Sequence, residues 1–225
     1  MNKYKQYKDV DFLFLKQIPS HWNLKRNKFI FQHKIDISGE QWKNYNILSL
    51  STNGIVVKPK DDLKNKGRKP ANFAKYQIIN QNDFVLCLFD LDLSAVFSDV
   101  SNYNGIISAT YDAFVVKNGF VRYYKYLFDY LFRSRTLQRF SKNVRYSITV
   151  SSFLSLYSLF PPLQEQIQIS KFLDWKINEI NKIIDKKQKH IQLLDQLSKS
   201  LINEVVTGQI DVRDIDVNNI NDIYI

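Results

Sequence analysis

The sequence contains few of the residues that mark fibrous, disulfide-rich or membrane proteins. Cys87 is the single cysteine among 225 residues, so no disulfide can form within the chain, and this favours a reducing compartment such as the cytoplasm. Six glycines and five prolines are too few for a collagen-like or low-complexity chain. No apolar run reaches the roughly 18 residues of a membrane span, and residues 1–11 lack the apolar core of a signal peptide. We therefore expect a globular cytoplasmic protein with no membrane partner.

Motifs for catalysis and cofactor binding are also missing from the sequence. No glycine-rich run follows a predicted strand, as a phosphate or S-adenosylmethionine site requires. Three scattered histidines and one cysteine do not give the spacing of a zinc site. Asp62 and Lys64 resemble the end of a metal-dependent nuclease motif, but the upstream carboxylate that such a site needs is not identifiable. We predict a protein without catalytic residues, metal or cofactor, and a small nuclease stays as an alternative.

The positive charge of the chain is concentrated in its first two-thirds. The whole chain carries a net charge of +10. Residues 1–162 contain 24 Lys and Arg against 12 Asp and Glu, whereas residues 163–225 contain eight against ten. A basic globular part with a nearly neutral extension indicates a polyanionic partner, and nucleic acid is the commonest one. A basic composition that serves solubility alone is the alternative.

Two stretches of the basic part combine cations with polar or aromatic residues. Flexible Lys side chains suit phosphate contacts, while Arg and Asn can also read base edges. In residues 58–69 the predicted DNA contacts are Lys58, Lys60, Lys64, Asn65, Lys66, Arg68 and Lys69. In residues 122–145 they are Arg133, Arg135, Arg139, Lys142 and Arg145. For each stretch a solvated basic face is the alternative interpretation.

Short apolar runs up to about residue 160 predict a compact mixed α/β domain. Strands are expected, with turns between them, at residues 45–50, 54–58, 83–89, 106–108 and 113–116. Apolar residues at helical spacing predict one helix at residues 122–133. The predicted fold class is α+β, with a DNA-binding domain at 1–160, a long helix at 161–208 and a short tail at 209–225.

The sequence from Leu163 to Thr207 contains no glycine or proline and predicts one long helix. Pro161-Pro162 suits its start and Gly208 its end. Apolar residues recur at the 4-3 spacing of a coiled-coil seam; they are Leu173, Ile177, Ile180, Ile184, Ile191, Leu194, Leu201 and Val205. Lys187 and Ser198 occupy two further seam positions, where they either restrict the pairing register or mark places at which the helices splay. The seam predicts a coiled coil with a partner helix, from another copy of the chain or from another protein.

Three groups of motifs, in this order along the chain, resemble the specificity subunits of type I restriction–modification systems. The first comprises Tyr7-Lys8-Asp9 and the runs IPSHW at 18–22 and KRNKF at 25–29, which look like the start of a target recognition domain. The second, residues 83–116, is similar to the core of that domain. The third is similar to the domain's junction with a long conserved helix and to the end of that helix; it consists of LFPPLQEQI at 159–167, Phe172-Leu173-Asp174 and LINEVVTGQIDVR at 201–213.

This resemblance implies a non-catalytic, sequence-specific DNA recognition subunit with double-stranded DNA as its ligand. Its other implied partners are modification subunits, which methylate adenine with S-adenosylmethionine that they bind themselves, and a restriction subunit. Family members usually carry two recognition domains and two long helices that pack antiparallel as a spacer, whereas this chain has one of each, so the resemblance implies an antiparallel coiled coil with a partner helix. It therefore resembles a half-subunit that forms a homodimer through the long helix and reads a bipartite, palindromic site.

Two further alternatives remain at the level of the sequence. The chain could be a coiled-coil interaction protein with non-specific nucleic-acid binding, because its basic stretches are not specific motifs. It could also be a fragment of a full-length two-domain specificity subunit, whose missing half would supply the second helix.

Overall fold

The computed structural model describes residues 3–12, 15–52, 54–59, 72–91, 94, 96–140 and 146–215. The chain divides into two compact units, Met1–Lys171 and Phe172–Ile225. Among the described residues, no helix is both long enough and apolar enough to cross a membrane.

The first unit contains short strands, two short helices and the first turns of the long helix. The strands are β1 (Tyr7–Phe12), β2 (Leu15–Pro19), β3 (Asn23–Arg26), β4 (Phe31–Lys34), β5 (Leu48–Ser51), β6 (Gly54–Val57), β7 (Gln77–Ile79), β8 (Phe84–Leu86), β9 (Ser98–Val100), β10 (Gly105–Ile107), β11 (Asp112–Val116) and β12 (Tyr157–Phe160). The helices are α1 (Val121–Arg133), α2 (Val150–Ser155) and α3 (Leu163–Val206). Short 3-10 helices lie at Asn27–Phe29, Gly39–Asn44, Phe73–Lys75 and Thr136–Phe140.

All the paired strands in the described part of the chain are antiparallel. The largest sheet has the order β4-β11-β8-β9, and four two-stranded ribbons accompany it: β1-β2, β5-β6, β10-β7 and β12-β3. The β12-β3 ribbon joins segments about 130 residues apart, with Tyr157 opposite Arg26 and Phe160 opposite Asn23. Strand β3, near the start of the domain, therefore pairs with β12, the strand that directly precedes α3.

The central strand β8 is buried on both faces. Phe84 and Leu86 point into one apolar cluster, and Val85 points into another with Cys87. Because successive side chains of a strand point to opposite faces, a strand covered on both sides needs an uninterrupted apolar run. This explains the sequence Phe84-Val-Leu-Cys-Leu88, in which every side chain is buried.

Helix α1 covers one face of the four-stranded sheet with aromatic side chains. Tyr124 and Phe128, four residues apart and therefore on one side of the helix, are almost fully buried. Their rings lie 5.0 and 5.9 Å from the ring of Phe31 on β4, and Phe153 of α2 closes the cluster at 5.3 Å from Phe128. Burial of such rings removes the largest apolar areas from water, so this cluster is the main core of the unit.

The predicted fold class is confirmed: a mixed sheet-and-helix unit is followed by a long C-terminal helix. Helix α1 spans Val121–Arg133, against the prediction of 122–133, and α3 ends at Val206, one residue before the predicted end. The predicted strands 45–50 and 83–89 are shorter, as β5 and β8, because only the residues with a partner strand form a ladder. The sequence pattern does not predict strands β1–β4, β7, β9 and β12, which the structure adds.

Candidate nucleic-acid interface

The first predicted DNA-contacting stretch begins directly after the β5–β6 hairpin. Lys58 follows β6, is exposed, and its backbone N–H donates to the Ile47 carbonyl at 2.8 Å. The other predicted contacts in this stretch lie outside the described residues, as does the nuclease-like pair Asp62 and Lys64; these contacts are Lys60, Lys64, Asn65, Lys66, Arg68 and Lys69. The structure therefore locates only the first residue of this stretch, Lys58, at the end of β6.

The β5–β6 hairpin is fixed to the neighbouring elements by Asp99 of β9. The Ile55 N–H donates to Asp99 Oδ2 at 2.8 Å, and Lys125 of α1 lies 3.8 Å from Asp99 Oδ1. Lys125 also pairs with Asp129 at 2.9 Å. Gly54 has φ +89°, and a Cβ atom there would collide with the Asp99 carboxylate. The turn therefore requires glycine, and Asp99 holds the hairpin that leads to Lys58 against β9.

The predicted arginines of the second stretch are exposed at the end of α1 and beyond it. Arg133 is the last residue of α1, Arg135 has φ +56°, and Arg139 lies in the 3-10 helix Thr136–Phe140. A left-handed backbone at a non-glycine residue costs roughly 1–2 kcal/mol, which the helix end tolerates because the Arg135 N–H donates to the Phe132 carbonyl at 2.9 Å. Lys142 and Arg145 lie outside the described residues.

The structure brings Arg133, but not Arg139, to the β5–β6 hairpin. Arg133 lines a polar cleft of about 380 Å³ together with Thr52 and Gly54 of the hairpin turn and with Asp99. Arg139 instead lines a separate, mainly apolar cavity of about 400 Å³ beside Phe140. Arg133 therefore lies beside the turn of the hairpin that precedes the first stretch, and the contact of either stretch with DNA stays a prediction.

The motifs at the start of the domain and at the start of α3 meet in the structure. His21 Nε2 lies 2.6 Å from Glu165 Oε1, the Trp22 indole N–H donates to Glu165 Oε2 at 2.8 Å, and the Tyr4 hydroxyl donates to the same oxygen at 3.2 Å. Burial alone would raise the pKa of Glu165, but the hydrogen bonds from Trp22 and His21 lower it below its ordinary value. The first turn of α3 is thereby tied to the N-terminal segment.

A second set of hydrogen bonds, made by the fully buried side chain of Gln166, completes this junction. Gln166 donates from Nε2 to the Pro161 carbonyl at 2.8 Å, and its Oε1 accepts the Phe120 N–H at 2.8 Å. Gly119, with φ +108°, leaves no room for a Cβ atom beside Gln166. The motif residues around 159–167 therefore have a structural role that the sequence interpretation missed, and only the motif resemblance pointed to them.

The predicted seam of α3 is exposed in the chain. Six of its eight apolar residues are more than a third exposed, from 40% at Ile177 to 62% at Leu194. Leu173 and Val205 are partly buried. The ion pairs Lys182–Glu179 and Lys199–Asp195 support the helix at i,i+3 and i,i+4 spacing. Such an apolar stripe has no cover within the described residues, which leaves it available to a partner helix.

No protein-family model and no curated protein sequence matches this chain. Its fold, however, is similar to those of solved structures. One is the HsdS subunit from Thermoanaerobacter tengcongensis, at 15% identity and a TM-score of 0.51, with 86% of this chain and 46% of that chain covered. Another comes from work on complex assembly and conformational transition of the type I R-M system, at 13% identity and a TM-score of 0.60, with 83% of this chain and 46% of that chain covered. The resemblance to specificity subunits is confirmed at the level of the fold, and this chain spans about half the length of these relatives.

Proposed function

We propose that this chain is a sequence-specific DNA recognition subunit of a type I restriction–modification complex, in a half-length form. The single observation that carries the proposal is the HsdS-like fold, which covers more than four-fifths of this chain in both comparisons. The basic first unit reads one half-site, and the phosphate contacts of Lys and Arg fix its position on the duplex. The chemistry belongs to partner subunits, which methylate adenine and, in a complete system, restrict unmodified DNA.

The exposed seam of α3 supports pairing of two copies of this chain. Two identical readers that are related by a two-fold axis recognise an inverted repeat. Antiparallel packing of two α3 helices would bury both apolar stripes and place one reader at each end of the helix pair. The result is a bipartite palindromic site whose unread gap depends on the helix length.

The function is tested by co-expressing the chain with its cognate modification subunits and sequencing methylated adenines genome-wide. We expect one bipartite inverted-repeat motif that is absent when this chain is omitted. Methylation that is independent of this chain, or that follows no sequence motif, would contradict the proposal. A chain that is a stable monomer in solution would instead support a fragment of a two-domain subunit.

The pairing of two copies is tested by placing a charge in the seam. Leu194→Glu puts a carboxylate at a buried position of the proposed helix pair, so we expect light scattering to give the mass of a monomer, where the unaltered chain gives that of a dimer. Gln196→Glu is the matched control, since it adds the same carboxylate two residues away on the outer face. An unaltered chain that is monomeric at micromolar concentration would exclude the homodimer.

A further inference from the structure

A small basic groove lies on the ribbon of β3 and β12. It has a volume of about 350 Å³ and is lined by Leu24, Lys25, Arg26, Lys28, Phe29 and Tyr157. None of these residues belongs to the two predicted DNA-contacting stretches. Because Arg26 is directly opposite Tyr157 in the ribbon, the position of the groove is set by backbone pairing between the two ends of the first unit.

The cations of this groove have no carboxylate partner among the described residues. None of the six lining residues is acidic, and no described Asp or Glu oxygen lies within 4.0 Å of the side-chain nitrogens of Lys25, Arg26 or Lys28. The cations lie over aromatic rings instead: Arg26 is 5.3 Å from the Tyr157 ring centroid, and Lys28 is 5.0 Å from that of Phe29. An aromatic ring attracts a cation without cancelling its charge, so the groove keeps its positive potential.

The backbone between the two main cations is held rigidly. Asn27, which separates Arg26 from Lys28, is fully buried. Its N–H donates to the Leu156 carbonyl at 2.8 Å, its Nδ2 donates to the Phe153 carbonyl at 2.9 Å, and its Oδ1 accepts the Ser158 hydroxyl at 2.7 Å. A ligand that binds Arg26 and Lys28 therefore meets cations on a fixed backbone, which reduces the entropy lost on binding.

The rings beside these cations are accessible to a ligand. Phe29 is 54% exposed and Tyr157 is 45% exposed, and the Tyr157 hydroxyl accepts a hydrogen bond from Arg26 Nε at 3.0 Å. Cations alternating with apolar rings match a ligand in which anionic groups alternate with apolar ones. The sugar–phosphate backbone of nucleic acid has this alternation.

We propose that this groove binds the phosphate backbone of duplex DNA, as a third contact beside the two stretches predicted from the sequence. The proposal rests on the proposed DNA recognition function. The Arg26 guanidinium offers a fork of donors to one phosphate and the Lys28 ammonium a point charge to another, while Phe29 packs against deoxyribose. Since phosphates carry no sequence information, the groove adds affinity and position but no specificity.

The test removes the two charges and measures binding as a function of salt. The full chain and its Arg26→Gln/Lys28→Gln variant are titrated into a labelled 30-base-pair duplex of mixed sequence at several salt concentrations. Each lost phosphate contact lowers the slope of log affinity against log salt by about 0.9, so we expect a decrease of about 2. A weakening of about tenfold near 0.1 M salt accompanies it.

Two control variants separate loss of contact from loss of charge or of fold. Lys43→Gln/Lys75→Gln removes the same charge from two exposed lysines of other 3-10 helices, and we expect it to keep the slope. Arg26→Lys/Lys28→Arg keeps both charges in the groove, and we expect it to keep the slope as well. Circular dichroism melts check that each variant is folded.

Three outcomes would overturn the inference. The groove variant could bind DNA with the slope and affinity of its charge-matched control. It could bind DNA normally yet fail to co-purify with the modification subunits, in which case the groove takes an acidic protein surface. In both cases the proposed function survives. If the unaltered chain itself bound no duplex, the proposed recognition function would fail together with the groove.

Discussion

At the residue scale, the carboxylate of Glu165 has the largest number of described side-chain partners at the start of α3. It accepts hydrogen bonds from Trp22 and Tyr4 and contacts His21, and it lies in the first turn of the helix, where the helix dipole favours a negative charge. These groups bind the ionised form, which is why the pKa of Glu165 is lowered. Protonation of Glu165 at low pH should therefore weaken the contact between the N-terminal segment and α3.

Glu165→Gln should reduce the free energy of unfolding by about 1 kcal/mol at neutral pH, because hydrogen bonds to a charged acceptor are replaced by neutral ones. A carboxyl group with a lowered pKa in the folded state contributes stability above its ordinary pKa, near 4.5. That contribution is lost as the pH falls through the lowered value. The difference between the unaltered chain and the variant should therefore shrink between pH 5 and pH 3.

Urea unfolding followed by circular dichroism at several pH values measures this difference. Glu179→Gln is the control, since Glu179 is on the same helix and, among the described residues, forms its ion pair with the exposed Lys182, where such a pair contributes little. A difference that is as large at pH 3 as at pH 7 would show that the Glu165 charge is not responsible.

At the scale of elements, the turn of the β5–β6 hairpin needs glycine at position 54 for two reasons. Gly54 has a positive φ, and the Asp99 carboxylate leaves no space for a Cβ atom. Gly54→Ala should destabilise the protein by about 2–4 kcal/mol, since it adds left-handed strain and a collision with Asp99. Gly39→Ala is the matched control, because Gly39 also has a positive φ, +55°, but open space around it. Denaturant titration compares the two variants. Equal losses of stability would mean that Asp99 does not restrict the turn.

Elements whose pattern is local and long were predictable from the sequence, and elements with distant partners were not. Helix α3 was placed to within a residue at its end, because a 4-3 spacing over many turns fits only a helix. Strands β3 and β12 were missed, since each has four residues and its partner lies about 130 residues away. Nothing in a four-residue segment specifies so distant a pairing.

In the candidate site, too, local features were predictable from the sequence and contacts between distant residues were not. A count of charges located the basic unit and its exposed arginines, Arg133, Arg135 and Arg139. The groove at Arg26 and Lys28 was not recognised as a surface, because it forms only when β12 brings Tyr157 beside β3. The contacts of Glu165 with Trp22 and His21, 143 and 144 residues away, could be anticipated only from the motif resemblance, which gives no geometry.

At the scale of the whole molecule, the proposed dimer makes the length of α3 the measure of the recognised site. Deletion of one heptad, residues 177–183, removes seven residues at about 1.5 Å each, or about 10.5 Å. At about 3.4 Å per base pair, we expect the gap between the two half-sites to shorten by about three base pairs. Duplication of the same heptad should lengthen it equally. Sequencing of methylated adenines reads the gap directly, and an unchanged gap in both variants would contradict the role of the helix as a spacer.

The absence of glycine and proline throughout α3 has a consequence for how such a protein can change its target. A helix turns by about 100° with each residue, so an insertion of one or two residues would rotate part of the apolar stripe away from the partner helix. An insertion of a whole heptad would keep the stripe facing that helix. Viable variants of this chain should therefore differ in steps of seven residues. The gap between the two half-sites would then change only in discrete steps. Each step would correspond to nearly a third of a turn of the double helix.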